Sequence, residues 1–357
     1  MVTVHDVARA AGVSISTVSR ALTAPEKVAT ATRERVTAAA DALGYLPNRA
    51  ASGLRAGRTR TVGLLVPDLS NPYFAAVAKG VAQRARGHGL GVFVVDSEED
   101  PALEAELLRS AVHQTDGVVL CSPRAVLEDR DVLGTKPVVV VNHRTARTLS
   151  VGSDGAGGVQ LAVEHLHALG HRRIAYVGGP ARSWSDGQRR AGLTAVGARL
   201  EGLELVPLGP FRPDVDGGHE AAGVVVASGA TAVITFNDLV AVGLVRRAAA
   251  LGVQVPQDLS VVSFDDTFVA TLTTPPLTSV HTDLRELGER ATDLLVQALG
   301  PAPAEPTGAP GQPEADPADP ADPVLVPAEL VVRGSTAPAP TPSVPRAAAS
   351  ASRRDDA

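Results

Sequence analysis

Val4, Val7, Ala8 and Ala11 fall three and four residues apart, the spacing of one helix face. Thr3 stands before them as an N-cap, acidic Asp6 follows three residues later, and Gly12 ends the run. Ser14 can cap a second helix running to Leu22, which buries Val18 and one of Ala21 or Leu22. Ile15, Ser16, Thr17 and Arg20 are left facing outward. A third helix is predicted from Ala31 to Leu43, with Val36, Ala40 and Leu43 as its apolar stripe and Gly44 as its stop. About three residues separate the first two helices, which is helix-turn-helix spacing.

After residue 60 the period changes. Val-rich runs at 62–66, 91–95, 117–120, 138–141, 174–177, 232–235 and 259–264 have strand length. Helical patterns of roughly 10–17 residues lie between most of them. This alternation predicts parallel sheets covered on both faces. The strands form two groups, before and after about residue 158, so two similar lobes are expected. Ligands bind such sheets beyond the C-terminal strand ends, here in a cleft between lobes.

Residues just after strands are therefore the candidates for binding. Tyr73 and Phe74 follow the first strand, Asp96 and Asn142 end the second and fourth, and Ser185 precedes Arg189. Asn237-Asp238 and Asp265-Asp266 follow later strands. Aromatic residues are only 3% of the chain, yet Tyr73, Phe74, Trp184 and Phe211 all fall in expected loops. Aromatic faces with carboxylates, amides and an arginine suit a polyhydroxylated or a heteroaromatic ligand. Each Asp or Asn is equally well placed to cap the helix that follows it.

Charge adds a second asymmetry. The net charge is −6, but residues 1–60 carry nine Lys or Arg against four acids. A basic module on an acidic body points to a polyanion partner for that module alone. On its outward helix, Arg20 could fork the O6 and N7 of guanine, and Ile15 could touch a thymine methyl. Exposure of Ser16 and partial burial of Ile15 are the plainer readings of those residues. Residues 47–59 form a short Ala-rich stretch interrupted by Gly53, marginal as a free helix. Leu54 beside Arg55 would make an apolar wedge with a cation for a minor groove; a flexible linker is the alternative. Cys121 stands alone, so no disulfide framework or multi-cysteine zinc site is expected. No apolar run approaches ~18 residues and the start lacks a secretory pattern, which reads as a soluble cytosolic protein.

Residues 3–61 resemble the DNA-binding head of the LacI/GalR family of bacterial transcription regulators. The run Asp6-Val7-Ala8, Ala11-Gly12-Val13-Ser14 and Thr17-Val18-Ser19-Arg20 carries the likeness, with Gly44-Tyr45, Pro47-Asn48, Ala50 and Leu54 at its end. Val62-Gly63-Leu64, Asn71-Pro72-Tyr73-Phe74, Leu169-Gly170-His171, Asn237-Asp238, Phe264-Asp265-Asp266 and Pro275-Pro276-Leu277-Thr278 extend it through the body. The resemblance implies a helix-turn-helix head at 1–47, a hinge at 48–60 and a two-lobed, periplasmic-binding-protein-like α/β core at 61–335. Lobe 1 would take 61–157 with 282–299, and lobe 2 would take 158–280 with 324–335. It further implies a homodimer on a pseudo-palindromic DNA operator. Ser14, Ile15, Ser16, Thr17, Arg20, Asn48, Leu54 and Arg55 would be the DNA contacts. Phe74, Arg189 and Asp265 would bind a small effector, with Tyr73, Ser185, Phe211, Asn237 and Asp154 in support. A sugar is the leading effector, a purine or nucleoside the alternative.

Two regions depart from that pattern. Residues 300–323 hold five acids, many prolines and no Lys or Arg, so a disordered insertion is expected. Residues 336–357 read as a low-complexity tail without leucine heptads, which favours a dimer over a tetramer. No nucleophile elbow, phosphate loop or paired-cysteine motif is present, and His165, His167 and His171 lack metal-site spacing. A nucleotide-cofactor enzyme is accordingly disfavoured and no cofactor is expected; a periplasmic solute-binding protein would share the body, but the start without a secretory pattern and the DNA-binding head argue against it.

Overall fold

The structure is a computed structural model that describes residues 2–23, 25–45, 58–125, 136–145, 148–300 and 323–340. The chain divides into two compact units, Met1–Arg60 and Thr61–Ala357.

Three helices make the first unit: α1 (Val4–Ala11), α2 (Ile15–Thr23) and α3 (Thr30–Ala42). Val7, Val18 and Val36, one from each, are fully buried against one another's cluster. The Asp6 carboxylate accepts from the Thr3 backbone N–H at 2.9 Å and from its hydroxyl at 2.7 Å, tying down the start of α1. Gly12 closes α1 with φ 65°, a conformation that only glycine adopts without strain. One expectation fails at the far end. Leu43 is 37% exposed and lies off the apolar stripe of α3. The chain reverses at Gly44 (φ 61°), so Tyr45 folds back, donates its N–H to Ala40 and covers the core in its place.

The second unit holds two lobes. The first contains β1 (Thr61–Val66), α4 (Pro72–Gly87), β2 (Gly91–Asp96), α5 (Pro101–Gln114), β3 (Gly117–Cys121), β4 (Val138–Val141) and β5 (Leu149–Ser153). Alternate residues of β1 face opposite ways. Val62, Leu64 and Val66 pack with α4, while Leu65 joins Leu108, Ala111 and Val112 of α5. Helix α6 (Gly155–Ala168) then opens the second lobe, followed by β6 (Arg173–Val177), α7 (Trp184–Gly197), β7 (Glu204–Leu208) and α8 (Val215–Ala227). After these come β8 (Ala232–Thr235), α9 (Asp238–Ala250), β9 (Ser260–Asp265), α10 (Phe268–Leu272) and β10 (Thr278–Thr282). Helix α11 (Leu284–Leu299) returns to lobe 1, where Leu287, Ala291 and Leu295 are buried against α4 and the sheet. Gly218 of α8 and Gly243 of α9 let those two helices meet backbone to backbone, where a Cβ would strike Val240 or Val215 carbonyl oxygen.

Both sheets have six strands in the same relative order, β11-β5-β4-β3-β1-β2 and β12-β10-β9-β8-β6-β7. Here β11 is Val324–Val326 and β12 is Ala328–Val331. The chain thus gives one edge strand to each lobe in immediate succession. β11 runs parallel to β5, and β12 runs antiparallel to β10. This corrects the assignment of the whole 324–335 segment to lobe 2. Three-residue β11 was too short to register as a strand, and β5, β7 and β10 are polar enough to have escaped notice too.

The expected tail also begins too early at 336. The Ala337 N–H donates to Ser260 Oγ at 3.0 Å, and His165 and His171 hydrogen-bond Thr336 and Ala337. Residues 336–339 are therefore pinned to lobe 2, by two histidines and by the Ala339 N–H donated to the Leu169 carbonyl. The 301–322 and 341–357 segments lie outside the described residues.

Candidate functional site

The outward face of α2 is narrower than its sequence implies. Ser14 accepts from the Thr17 N–H at 3.1 Å, and its hydroxyl also bonds those of Ser16 and Thr17. Ser14 and Thr17 are thus engaged in starting the helix. Ile15 is half-buried and packs on the three-helix core, as a residue beside Val18 must when α2 lies flat on α1 and α3. Ser16 and Arg20 remain exposed, one turn apart, with no ion pair to Arg20 among the described residues. Arg20 can reach a groove without first breaking a contact, whereas Ser16 would give up its hydrogen bond to the Ser14 hydroxyl. Asn48, Leu54 and Arg55 lie outside the described residues.

The second candidate is a cleft of about 390 Å³ that both lobes line. On lobe 1, Asn71 caps α4 by accepting from the Tyr73 N–H at 3.0 Å. That cap sets Tyr73 and Phe74 in the first helical turn, where their rings meet edge to face at 5.0 Å. Burial pushes the Tyr73 hydroxyl pKa well up, so it stays protonated. It accepts from Asn142 Nδ2 at 2.6 Å, while Asn142 Oδ1 accepts from the Ser153 N–H. Asn142 and Ser122 end their strands with φ 52° and 43°, left-handed conformations that cost non-glycine residues about 1–3 kcal/mol and cluster at binding sites.

Behind them lies Arg124, only 7% exposed at its side chain. It donates to both Glu99 oxygens at 2.7 and 3.1 Å and to the Ser122 carbonyl at 2.6 Å. Fully buried Glu104 accepts from the backbone N–H groups of Arg124 and Ala125, fixing the loop that carries the guanidinium. Burial raises the Glu104 pKa despite those bonds.

Lobe 2 answers with Arg189, one turn into α7 and 6% exposed at its side chain. Its guanidinium lies over the Phe264 ring at 3.9 Å and near Phe236 at 4.9 Å. Nη1 donates to the Phe236 carbonyl, and Nε is buried with no partner. Asp265 Oδ1 stands 3.9 Å from Nη2, beyond hydrogen-bond reach. Asp265 ends β9 at φ 95° and accepts no hydrogen bond from any described residue. Burial pushes its pKa up to about 7, with Arg189 opposing and Asp238 adding to the rise. Asp238 itself is buried and takes four hydrogen bonds from Ser263, Thr267 and Ser279, so it is occupied structurally.

Of the eight expected ligand contacts, Tyr73, Phe74, Ser185, Arg189, Asn237 and Asp265 line the cleft. Asn237 does so with its amide already spent: it caps α9 through Val240 and donates to the Pro213 carbonyl. Asp154 and Phe211 do not line it. The Asp154 carboxylate caps α6 through Gly157, and Phe211 packs on the apolar cluster of lobe 2. Trp184 is also displaced from the cleft. It lies on the seam between lobes, against Gly152 of β5, where a Cβ would come within 3.0 Å of its ring. Glu99, Ser122, Arg124 and Phe236 line the cleft without having been singled out. Ser122 and Phe236 each follow a strand directly, so the strand-end rule that found Asp265 reaches them as well.

Residues 3–48 match the family described as bacterial regulatory proteins, lacI family, and residues 163–336 match the periplasmic binding protein-like domain. The HTH-type transcriptional regulator reg1 of Streptomyces lividans is 34% identical over 354 residues, covering 94% of this chain and 96% of that protein. The lac repressor dimer bound to operator and the anti-inducer ONPF superposes with a TM-score of 0.79 at 28% identity, over 94% of this chain and 99% of that one. The complex of the transcriptional regulator CelR with cellobiose superposes with a TM-score of 0.65 at 27% identity, over 94% of this chain and 100% of that one.

Proposed function

The chain belongs to the LacI family of DNA-binding transcriptional regulators, and we propose that it is a dimeric repressor whose operator affinity is switched by a sugar held between its lobes. It is a regulator, as its relatives are, and not an enzyme. Among the described residues no helix is long and apolar enough to cross a membrane.

The cleft carries this reading. It is lined by the rings of Phe74 and Phe236, by Arg189 with a buried donor left unpaired, and by Asp265, whose carboxylate accepts no hydrogen bond from any described residue. Apolar faces flanked by planar polar groups suit a sugar ring and its hydroxyls. The flat rings would accept a purine too, but the carboxylate–guanidinium pairs favour a polyol. The chain passes between lobes beside Ser153, Thr282 and Val326, so a change of lobe angle concentrates at three short crossovers. Ligand bridging Arg189 and Asp265 to lobe 1 would favour one angle, and only to the extent that it binds that angle better. β1 starts at Thr61, so lobe 1 is the lobe continuous with the segment leading to the head.

Ser16 and Arg20 on α2 are the proposed base readers, with Asn48, Leu54 and Arg55 of the connecting segment as further DNA contacts. Phe268 and Leu272 of α10 are 65% and 73% exposed, apolar surface that a second copy would cover. A dimer places two heads on an inverted repeat. Selection of bound duplexes from a random DNA pool by the full-length protein tests this. Enrichment of an inverted repeat is expected, and its loss on adding the effector sugar would mark an inducer. Enrichment of a single, unrepeated half-site would contradict the dimer.

A further inference from the structure

We propose that the cleft is charge-matched to an uncharged sugar, a free mono- or disaccharide, and rejects phosphorylated and acidic sugars. The inference rests on the reading that the effector is a sugar bound in this cleft.

Four charged side chains line the cavity, Glu99 and Arg124 from lobe 1 with Arg189 and Asp265 from lobe 2. Each lobe therefore brings one cation and one anion. Arg124 is committed: Nε and Nη2 hold Glu99 in a two-point fork, and Nη1 holds the Ser122 carbonyl. A phosphate entering the cleft finds that guanidinium neutralised and meets the Glu99 carboxylate beside it. Arg189 is the freer cation, but Asp265 stands 3.9 Å away and occupies the place a phosphate oxygen would need. An added anion would lie between two carboxylates with no unmatched cation.

A neutral polyol meets none of these costs and removes two existing ones. The Arg189 Nε–H is buried without a partner and needs an acceptor. Asp265 is acceptor-only when ionised and receives no hydrogen bond from any described residue. Adjacent hydroxyls on a sugar ring supply an acceptor for the first and a donor for the second, whereas an ionised carboxylate or a phosphate dianion is an acceptor only. The Phe74 and Phe236 faces complete the fit by covering the apolar C–H surface of the ring.

The test is a binding panel on the full-length protein, read by calorimetry and by the emission of Trp184, the only tryptophan in the chain. The probes are D-glucose, D-ribose, maltose and cellobiose, with glucose 6-phosphate, ribose 5-phosphate, glucuronate and adenosine. An uncharged sugar should bind, with any phosphorylated or acidic counterpart at least about 100-fold weaker. The Glu99→Gln variant frees Arg124 and should improve glucose 6-phosphate binding at least about tenfold. A phosphorylated sugar that binds wild type as well as its parent overturns the charge assignment but leaves a sugar effector standing. Binding of adenosine alone overturns the sugar reading itself. Unchanged phosphate affinity in Glu99→Gln removes the Arg124–Glu99 fork as the cause of rejection.

Discussion

The two halves of the cleft are built from the same topology and finished in opposite ways. In lobe 1 the polar side chains that line the cleft are largely paired: Arg124 has Glu99 and Ser122, and Tyr73 has Asn142, while His143 Nδ1 is buried without a partner. In lobe 2 the corresponding charges are held short of contact, with Arg189 Nε orphaned and Asp265 on a left-handed backbone. Satisfied groups rigidify a surface, whereas unsatisfied ones wait for a ligand. On the proposed function, lobe 1 is thus a largely preformed wall, and lobe 2 carries the groups a ligand would complete. Substitutions should therefore separate stability from binding, lobe by lobe.

The largest effect belongs to Arg189→Met. Sugar affinity should fall at least about 100-fold, near 3 kcal/mol, because a charge-assisted donor and a ring-stacked cation are both lost. Calorimetry measures this directly, and operator binding without ligand should be unchanged. Arg124→Met should act on the fold instead. It leaves Glu99 and the Ser122 carbonyl without their donor and should lower unfolding stability by about 1–3 kcal/mol in a denaturant melt. A stability loss confined to Arg189→Met would reverse the comparison.

Asp265→Asn should do both things at once, with opposite signs. The carboxyl pKa is raised by burial from 3.8 to about 7. Unfolding then releases the proton between those values, so ionised Asp265 costs stability progressively above the lower one and fully above about pH 7. Removing the charge should raise stability at pH 8 by about 1–2 kcal/mol while weakening sugar binding. The wild-type pH profile is the smaller companion effect. Hydroxyls donate to the ionised carboxylate, so affinity should rise by up to about tenfold per pH unit from 5 to 7 and level off above. Arg189 and Asp238 face the same carboxyl; burial raises the Asp238 pKa as well, and the four hydrogen bonds Asp238 accepts oppose that rise. A flat profile would mean that Asp265 does not touch the ligand.

Much of this arrangement was legible because strands ending in polar residues announce themselves. Asp265 and Asn237 stand at strand ends, and Arg189 stands in the second turn of the helix that Ser183 caps. Glu99 and Arg124 were not, because Ser97-Glu98-Glu99-Asp100 reads as a solvated turn. Only tertiary structure brings its second glutamate to an arginine 25 residues on. Phe211 and Asp154 mislead in the other direction. An aromatic in a loop and an acid before a helix have ordinary uses, packing and capping, and here those uses prevail. The same applies in the head, where Val7, Val18 and Val36 follow the helical period but Ile15 serves the core as well as the surface.

On the proposed function, ligand in this cleft governs DNA binding. The direct measurement is operator affinity, with and without a saturating uncharged sugar from the panel, for wild type and Arg189→Met. Wild-type affinity should change at least about fivefold on ligand addition, the lower end of allosteric coupling, and the variant should hold operator equally well but not respond. A variant that still responds like wild type, or a wild type whose operator affinity ignores bound sugar, would contradict the proposed function.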